Sequence, residues 1–419
     1  MQEMLLLELF RRMREHFPAL DRENNGGYVF FDNAAGAQLP LVAIEQTTEH
    51  LTRRNAQKGS VFARQEKMQQ LVYAMREGCA DLLGTRAERI ALGLNTTSLL
   101  ALIAHHLGRD LKEGDLVLTS QLDHMANVAP WEELKGRGVQ VEMIPITHSG
   151  HLDMDAYGAL LEKKPRIVAF GWVSNATGTP VDVERVAHMA HDAGALTVVD
   201  CVAGAPHLAM DVEAWDVDFA VCSAYKIFGP HLGMAYINPD RLGGWQLGDM
   251  VTTDAGRYGL GTSFAAKLEL GTQNHEGIAG FRGTLSYLEM MGTAAAANLN
   301  LPAPHTRRER ILTAMDAVGL YEQLLLGRLK SVIASLPGVK VYGYPTVPIV
   351  AFNLPGKMPG DVARHLEARG IEARTGNYLA IPSMVDLASE FGGEAVRVSL
   401  LHYNTLAEIQ RFAQALQSL

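Results

Sequence analysis

The chain has 419 residues, 47% hydrophobic and 20% charged, with a formal net charge of −9. That length can bury a large core and is too long for one small domain. The acidic balance, without a dense Lys/Arg run, argues against a nucleic-acid surface, and three cysteines with no CxxC pair (Cys79, Cys201, Cys222) point to a reducing compartment. Met1–Phe10 is apolar but carries Glu3 and Glu8 and lacks a cationic start, and no apolar run reaches membrane-spanning length. A cytoplasmic protein without a membrane partner is expected.

Residues 1–17 read as an amphipathic helix stopped by Pro18. Tyr28–Phe31 is a short strand leading into Asp32-Asn33-Ala34-Ala35-Gly36, where small residues permit close backbone approach. Leu41–Arg54 is helical, Asn55–Arg64 a polar loop, and Gln65–Leu83 a long helix ending at Gly84. Strand Arg89–Leu94 feeds Asn95-Thr96-Thr97-Ser98 and a helix over Leu99–Leu107. Hydroxyl residues at a helix start make an anion site, because free N–H groups and the helix dipole both favour a phosphate. A plain N-cap explains the same segment.

Strand Asp115–Ser120 runs into Gln121-Leu122-Asp123-His124, which sets the flat ring of His124 just past a strand end, where it can stack on a cofactor ring. Val139–Pro145 is a strand and Met154–Lys163 a helix. Strand Ile167–Val173 ends at Ser174-Asn175, and helix Val183–Ala193 leads to the stretch that organises the chain. There Ala195–Val199 ends at Asp200. Phe219–Cys222 ends at Ser223, with Lys226 three residues on in a Ser-x-x-Lys-x-x-Gly-Pro context. Short β-branched runs between helices read as buried parallel strands, whose chemistry collects at their carboxyl ends. A carboxylate at one strand end and a lysine past the next suit a cofactor with a cationic nitrogen and an aldehyde; pyridoxal 5′-phosphate (PLP) has both. A capping aspartate and a surface lysine are the plainer alternative. The alternation of strand and helix argues for a doubly wound α/β sheet. No GxGxxG follows an early strand and no GxxxxGK[ST] occurs, which weakens a nucleotide-binding alternative.

Residues 238–267 are rich in glycine and polar residues and read as a long loop. Leu268–Asn274 follows, then a long helix from Ile278, with a hinge expected at Ala294–Ala297 and the Pro302/Pro304 pair. From about Arg307 the pattern becomes a helix to Leu336, strands at Val339–Tyr342 and Ile349–Asn353, a helix over Gly360–Arg369, strands at Ile371–Arg374 and Val396–Ser399, and a last helix from Leu406. The expected division is an N-terminal helical arm (1–24), a large cofactor-binding domain (25–292) and a small C-terminal α+β domain (293–419).

Nine stretches in this order carry a resemblance: Phe31-Asp32-Asn33-Ala34-Ala35, Asn95-Thr96-Thr97, Asp123-His124 with Ala126-Asn127, Val173-Ser174-Asn175, Val199-Asp200, Ser223-Ala224-Tyr225-Lys226, Gly271-Thr272, Arg374-Thr375-Gly376 and Val396-Arg397-Val398-Ser399-Leu400. Each is weak alone. Together, over nearly the whole chain, they resemble the fold-type I PLP enzymes of the class V aminotransferase group, in its cysteine desulfurase and selenocysteine lyase branch. The resemblance implies a large, mainly parallel sheet domain plus a smaller α+β domain, and a homodimer with shared active sites. It implies that Lys226 carries the cofactor as an imine and then shuttles the proton, that Asp200 pairs with the ring nitrogen, and that His124 stacks on the ring. Asn175 would bond the ring oxygen or the substrate. Thr96, Thr97 and Ser223 would hold the phosphate, with Thr272 reaching the neighbouring subunit's. Arg397 would clamp the substrate α-carboxylate, with Arg374, Asn33 and Ala35 on the substrate side. No metal is implied.

The departures set the expected function. Leu379 stands where the desulfurases carry the cysteine that accepts sulfur, Ala203 replaces the usual glutamine, Tyr225 the usual histidine, and Ser98 the usual glutamate. The expectation is a PLP enzyme acting on a small amino acid by β-elimination (C–S lyase-like) or transamination, without forming a protein persulfide. An epimerase of the isopenicillin N epimerase type and a catalytically inactive PLP-fold binding protein are the alternatives.

Overall fold

The computed structural model describes residues 2–58, 61–245 and 267–419. Most of the glycine-rich stretch over 238–267 lies outside them, as do residues 59 and 60 of the polar loop. The strands, in chain order, are β1 (Val29–Phe30), β2 (Ile90–Gly93), β3 (Leu116–Ser120), β4 (Gln140–Ile144), β5 (Ile167–Gly171), β6 (Leu196–Asp200), β7 (Phe219–Ser223), β8 (Gly233–Ile237), β9 (Lys340–Tyr342), β10 (Ile349–Asn353), β11 (Ile371–Glu372), β12 (Arg374–Gly376) and β13 (Ala395–Ser399).

Seven of them form one sheet in the order β2-β8-β7-β6-β5-β3-β4. Strands β3 to β7 are parallel where they pair. Strand β8 runs antiparallel to both β2 and β7. The connection at 224–232 explains this, since a parallel return needs a crossover of a dozen or more residues. β5, β6 and β7 are buried at every position, and alternation divides them between two cores. Ile167, Ala169, Val198, Phe219 and Val221 face one side, packed with Leu99, Leu100, Ile103 and Leu107 of helix Thr96–Gly108. Val168, Phe170, Val199, Ala220 and Cys222 face the other, with Met75 and Leu82 of helix Ala63–Leu83, Phe281 and Leu288 of helix His275–Leu299, and Leu325 and Leu329 of helix Arg307–Ala334. Helices on both faces make the sheet doubly wound, as in fold-type I PLP enzymes. Among the described residues, no helix is long and apolar enough to cross a membrane.

A second, antiparallel sheet has the order β12-β13-β10-β9. The Ala294–Ala297 run expected to hinge lies inside helix His275–Leu299, with Ala295 and Ala296 buried; alanine favours helix, and the break falls at Asn300 in the left-handed conformation. Strand Ile371–Arg374 is two strands, β11 pairing with β1 in parallel and β12 with β13. Residues 29–33, expected with the large domain, are thus laced to the C-terminal region: Ser399 N–H donates to Phe31 O at 2.7 Å. A helix over Ile381–Leu387 was not anticipated.

Candidate active site

A cavity of about 760 Å³ opens at the carboxyl ends of β2, β3, β5, β6 and β7 and is closed on one side by β12, β13 and the loop between β12 and helix Ile381–Leu387. Ala35, Thr96, Thr97, His124, Asn175, Asp200, Ser223, Lys226, Arg374 and Arg397 all line it.

Lys226 follows β7 in a single 3-10 turn, and its ammonium donates to Ala34 O. Burial, and then the nearby Arg397 cation, lower its pKa to about 7, so the free amine is well populated at neutral pH. Asp200 ends β6 and accepts from the Val202 N–H at 2.9 Å. Burial raises its pKa to about 6, against the pull of the Val202 bond and Lys226. His124 accepts through Nδ1 from the Ala126 N–H at 3.0 Å, which fixes the ring. Burial and the Lys226 and Arg397 charges hold its pKa down to about 4, so the imidazole is neutral.

Helix Thr96–Gly108 begins at the cavity. Asn95 caps it, accepting from Ser98 N–H at 2.9 Å. Gly233 makes room for this turn, because a Cβ there would lie 2.7 Å from the Asn95 carbonyl carbon. Ser223, expected on the phosphate, has its hydroxyl engaged with Thr96: it accepts from Thr96 N–H at 2.9 Å and donates to Thr96 Oγ1 at 2.8 Å. It shapes the cradle, and Thr97 stands exposed beside it.

Two expected residues stand apart from the cavity. Asn33 is buried and donates to the carbonyls of Phe30 and Ser399 at 2.8 Å, a tie between chain segments rather than a substrate contact. Thr272 is exposed and does not line the cavity of its own chain. Asn175 is on the wall, but its amide donates to Tyr378 O at 2.9 Å, leaving Oδ1 buried without a partner among the described residues. Arg397 is likewise engaged: Nη1 donates to Asn175 O at 2.8 Å and Nη2 to Asp32 Oδ1 at 2.9 Å.

Sequence reasoning placed Asp32 and Asp123 inside motifs but gave neither a role at the site. Asp32 lies one residue from Asn33, but its arginine partners are 342 and 365 residues away. Asp123 is buried beside His124, accepts from Ser120 N–H and Asn127 Nδ2, and is pushed up to about 8 by burial. The residue type alone, next to a singled-out histidine, was the available signal.

Leu379 lines the cavity and is 53% exposed, so an incoming molecule can reach it. Tyr378 and Leu379 both hold a left-handed backbone, φ 56° and 58°, which bulky residues rarely adopt. All three cysteines are fully buried and none lines the cavity.

A buried amine of lowered pKa, a buried carboxylate, a neutral imidazole and a helix N-terminus thus gather around one cavity. The chain belongs to the aminotransferase class-V family, whose model matches residues 29–323 and 309–412, and this membership indicates PLP as cofactor. It is 30% identical to a cysteine desulfurase of Enterobacter sp. over 97% of both chains. It is also 30% identical to one of Synechococcus elongatus over 97% of this chain, of whose length it spans 63%. Among solved structures, a cysteine desulfurase of Thermococcus onnurineus NA1 superposes with a TM-score of 0.82 at 26% identity, covering 97% of each chain. The Escherichia coli cysteine desulfurase CsdA (S-sulfonic acid) gives 0.79 at 26%, also over 97% of each.

Proposed function

We propose that this protein is a PLP-dependent enzyme acting on a small amino acid by β-elimination, in the manner of a C–S lyase, or by transamination, and that it passes no sulfur to a cysteine of its own. The observation that carries this reading is Leu379: an apolar side chain on the cavity wall, while every thiol of the chain lies fully buried. Burial pushes the Cys79 thiol up to about 12 and raises Cys201 and Cys222 well above the ordinary thiol value too. A thiol so raised is not the thiolate that attacks sulfur.

The residues present fit the cofactor. Bound PLP supplies an electron sink for charge developing at the substrate Cα. Lys226 would hold it covalently and, once released, move the proton at its Nζ; an amine titrating near 7 can both accept and return one. Asp200, a buried carboxylate on the floor, would face the ring nitrogen, and that positive charge would keep it ionised. His124, neutral and held by the Ala126 N–H, would lie on the ring face without adding a charge. The orphaned Asn175 Oδ1 offers a fixed acceptor on the same wall. Leu379, Leu122, Ala126 and Ala203 would give the substrate side chain an apolar surround.

Thr272, exposed and off its own chain's cavity, supports a homodimer in which it reaches the partner's phosphate. A panel of amino acids assayed for pyruvate, sulfide and keto acid, with the cofactor spectrum followed in parallel, tests the function. Pyruvate with ammonia supports elimination, and a keto acid with an aminated cofactor supports transamination. No product and no spectral change with any amino acid sinks the reading.

A further inference from the structure

Arg374 on β12 and Arg397 on β13 are directly opposite each other in the antiparallel register. Like charges so placed repel. Asp32 relieves the repulsion. Its Oδ1 accepts from Arg397 Nη2 at 2.9 Å and its Oδ2 from Arg374 Nε at 2.7 Å, so one carboxylate bridges both guanidiniums. Asp32 does not line the cavity; both arginines do. The aspartate is delivered by the lacing already described: β1 pairs with β11, and Asp32 itself bridges Ser399. Arg397 is fixed independently as well, by Asn175 O and by the Tyr378 ring 4.5 Å from its guanidinium.

The geometry points to Asp32 as a residue that determines substrate specificity: it leaves this arginine pair one net positive charge, enough for a single carboxylate, and so excludes amino acids that carry a second. This rests on the amino-acid reading above. Two arginines without Asp32 would have two charges to offer, and a dicarboxylate could be matched at both ends. With Asp32 in place a second carboxylate entering beside Arg374 meets the aspartate's own charge. Lys226 does not make up the difference, because an amine that carries the cofactor is not a free cation. Leu379 and Leu122, which also line the cavity, are apolar and offer a second carboxylate nothing either.

The experiment titrates the holoenzyme with butyrate and with succinate, acids of equal chain length, by cofactor absorbance and by calorimetry. The wild type is expected to bind succinate no more tightly than butyrate. In Asp32→Asn the succinate-to-butyrate affinity ratio should rise about tenfold, the scale of one freed charge-assisted bond. Asp32→Ser gives the same test if the amide fails to fold, and Asp32→Glu should keep the wild-type preference, which a merely packing role would not predict. A wild type that prefers succinate, or variants that bind butyrate with an unchanged ratio, would overturn the assignment to Asp32. A wild type whose spectrum and heat respond to neither acid would instead remove the amino-acid reading, and this proposal with it.

Discussion

The backbone N–H of Met125 donates to the carbonyl of Leu379 at 2.7 Å. This bond ties the loop that carries His124 to the loop that carries the apolar wall, and Asn377 Oδ1 holds the Leu379 N–H at 3.1 Å on the other side. The left-handed pair Tyr378–Leu379 is therefore held from both directions, and the Leu379 side chain is presented to the cavity by its backbone.

A thiol placed there would enter the cavity without the rest of a sulfur-transfer site. Leu379→Cys should fold normally, since the side chain is half exposed. It should take sulfur from cysteine onto the new thiol slowly, read as persulfide label on residue 379, and adding Ala203→Gln and Tyr225→His should raise the rate. A single variant as fast as the triple one would mean that Ala203 and Tyr225 do not matter.

Lys226 sets a pH dependence. Its folded pKa lies near 7, below the ordinary lysine value, because burial and Arg397 disfavour the charged form. The neutral amine is the form that attacks an aldehyde, so the rate at which apo-protein takes up PLP should rise as pH climbs through about 7 and then level off. A rate that keeps rising toward pH 10 would contradict this. Lys226→Ala should give no band near ~420 nm. By the same sign, the unfolded chain binds more protons than the folded one between pH 7 and the ordinary lysine range, so the amine's cost to the apo-protein grows as pH falls through that window. Apo Lys226→Met should melt higher than apo wild type at neutral pH.

Asp200→Asn should retain the fold and the imine band but lose on the order of a hundredfold or more in kcat, the scale of removing one preorganised electrostatic group. Steady-state kinetics beside the spectrum checks it. A loss below about threefold would remove Asp200 from the ring nitrogen.

Glu269 is a structural counterpart. It accepts from Arg76 Nη2 at 2.6 Å and from the Leu92 N–H at 2.9 Å, and both side chains are about 5% exposed or less. Removing one partner of a buried pair leaves the other charge uncompensated, at about 3–5 kcal/mol. Glu269→Gln should lower the urea midpoint accordingly, whereas a change under about 1 kcal/mol would show that water reaches Arg76.

The parallel strands were legible because buried apolar runs such as Leu196–Val199 and Phe219–Cys222 end on a polar residue, Asp200 and Ser223. The direction of β8 was legible only through the shortness of the 224–232 connection, which the eye passes over when reading runs of residues. Lys226, Asp200 and His124 could be placed because Asp200 ends a strand and the other two follow one by a few residues. The Asp32 bridge could not, since no local pattern joins residues more than 300 positions apart. The engagement of Ser223 with Thr96 was hidden for the same reason: a hydroxyl's partner depends on which turn packs against it.

The central claim is that this chain takes no sulfur onto a cysteine of its own. Persulfide labelling of the holoenzyme after incubation with cysteine tests it most directly. The account predicts an unlabelled protein, with any sulfur released as free sulfide or a small persulfide. Stoichiometric label on Cys79, Cys201 or Cys222 would contradict it.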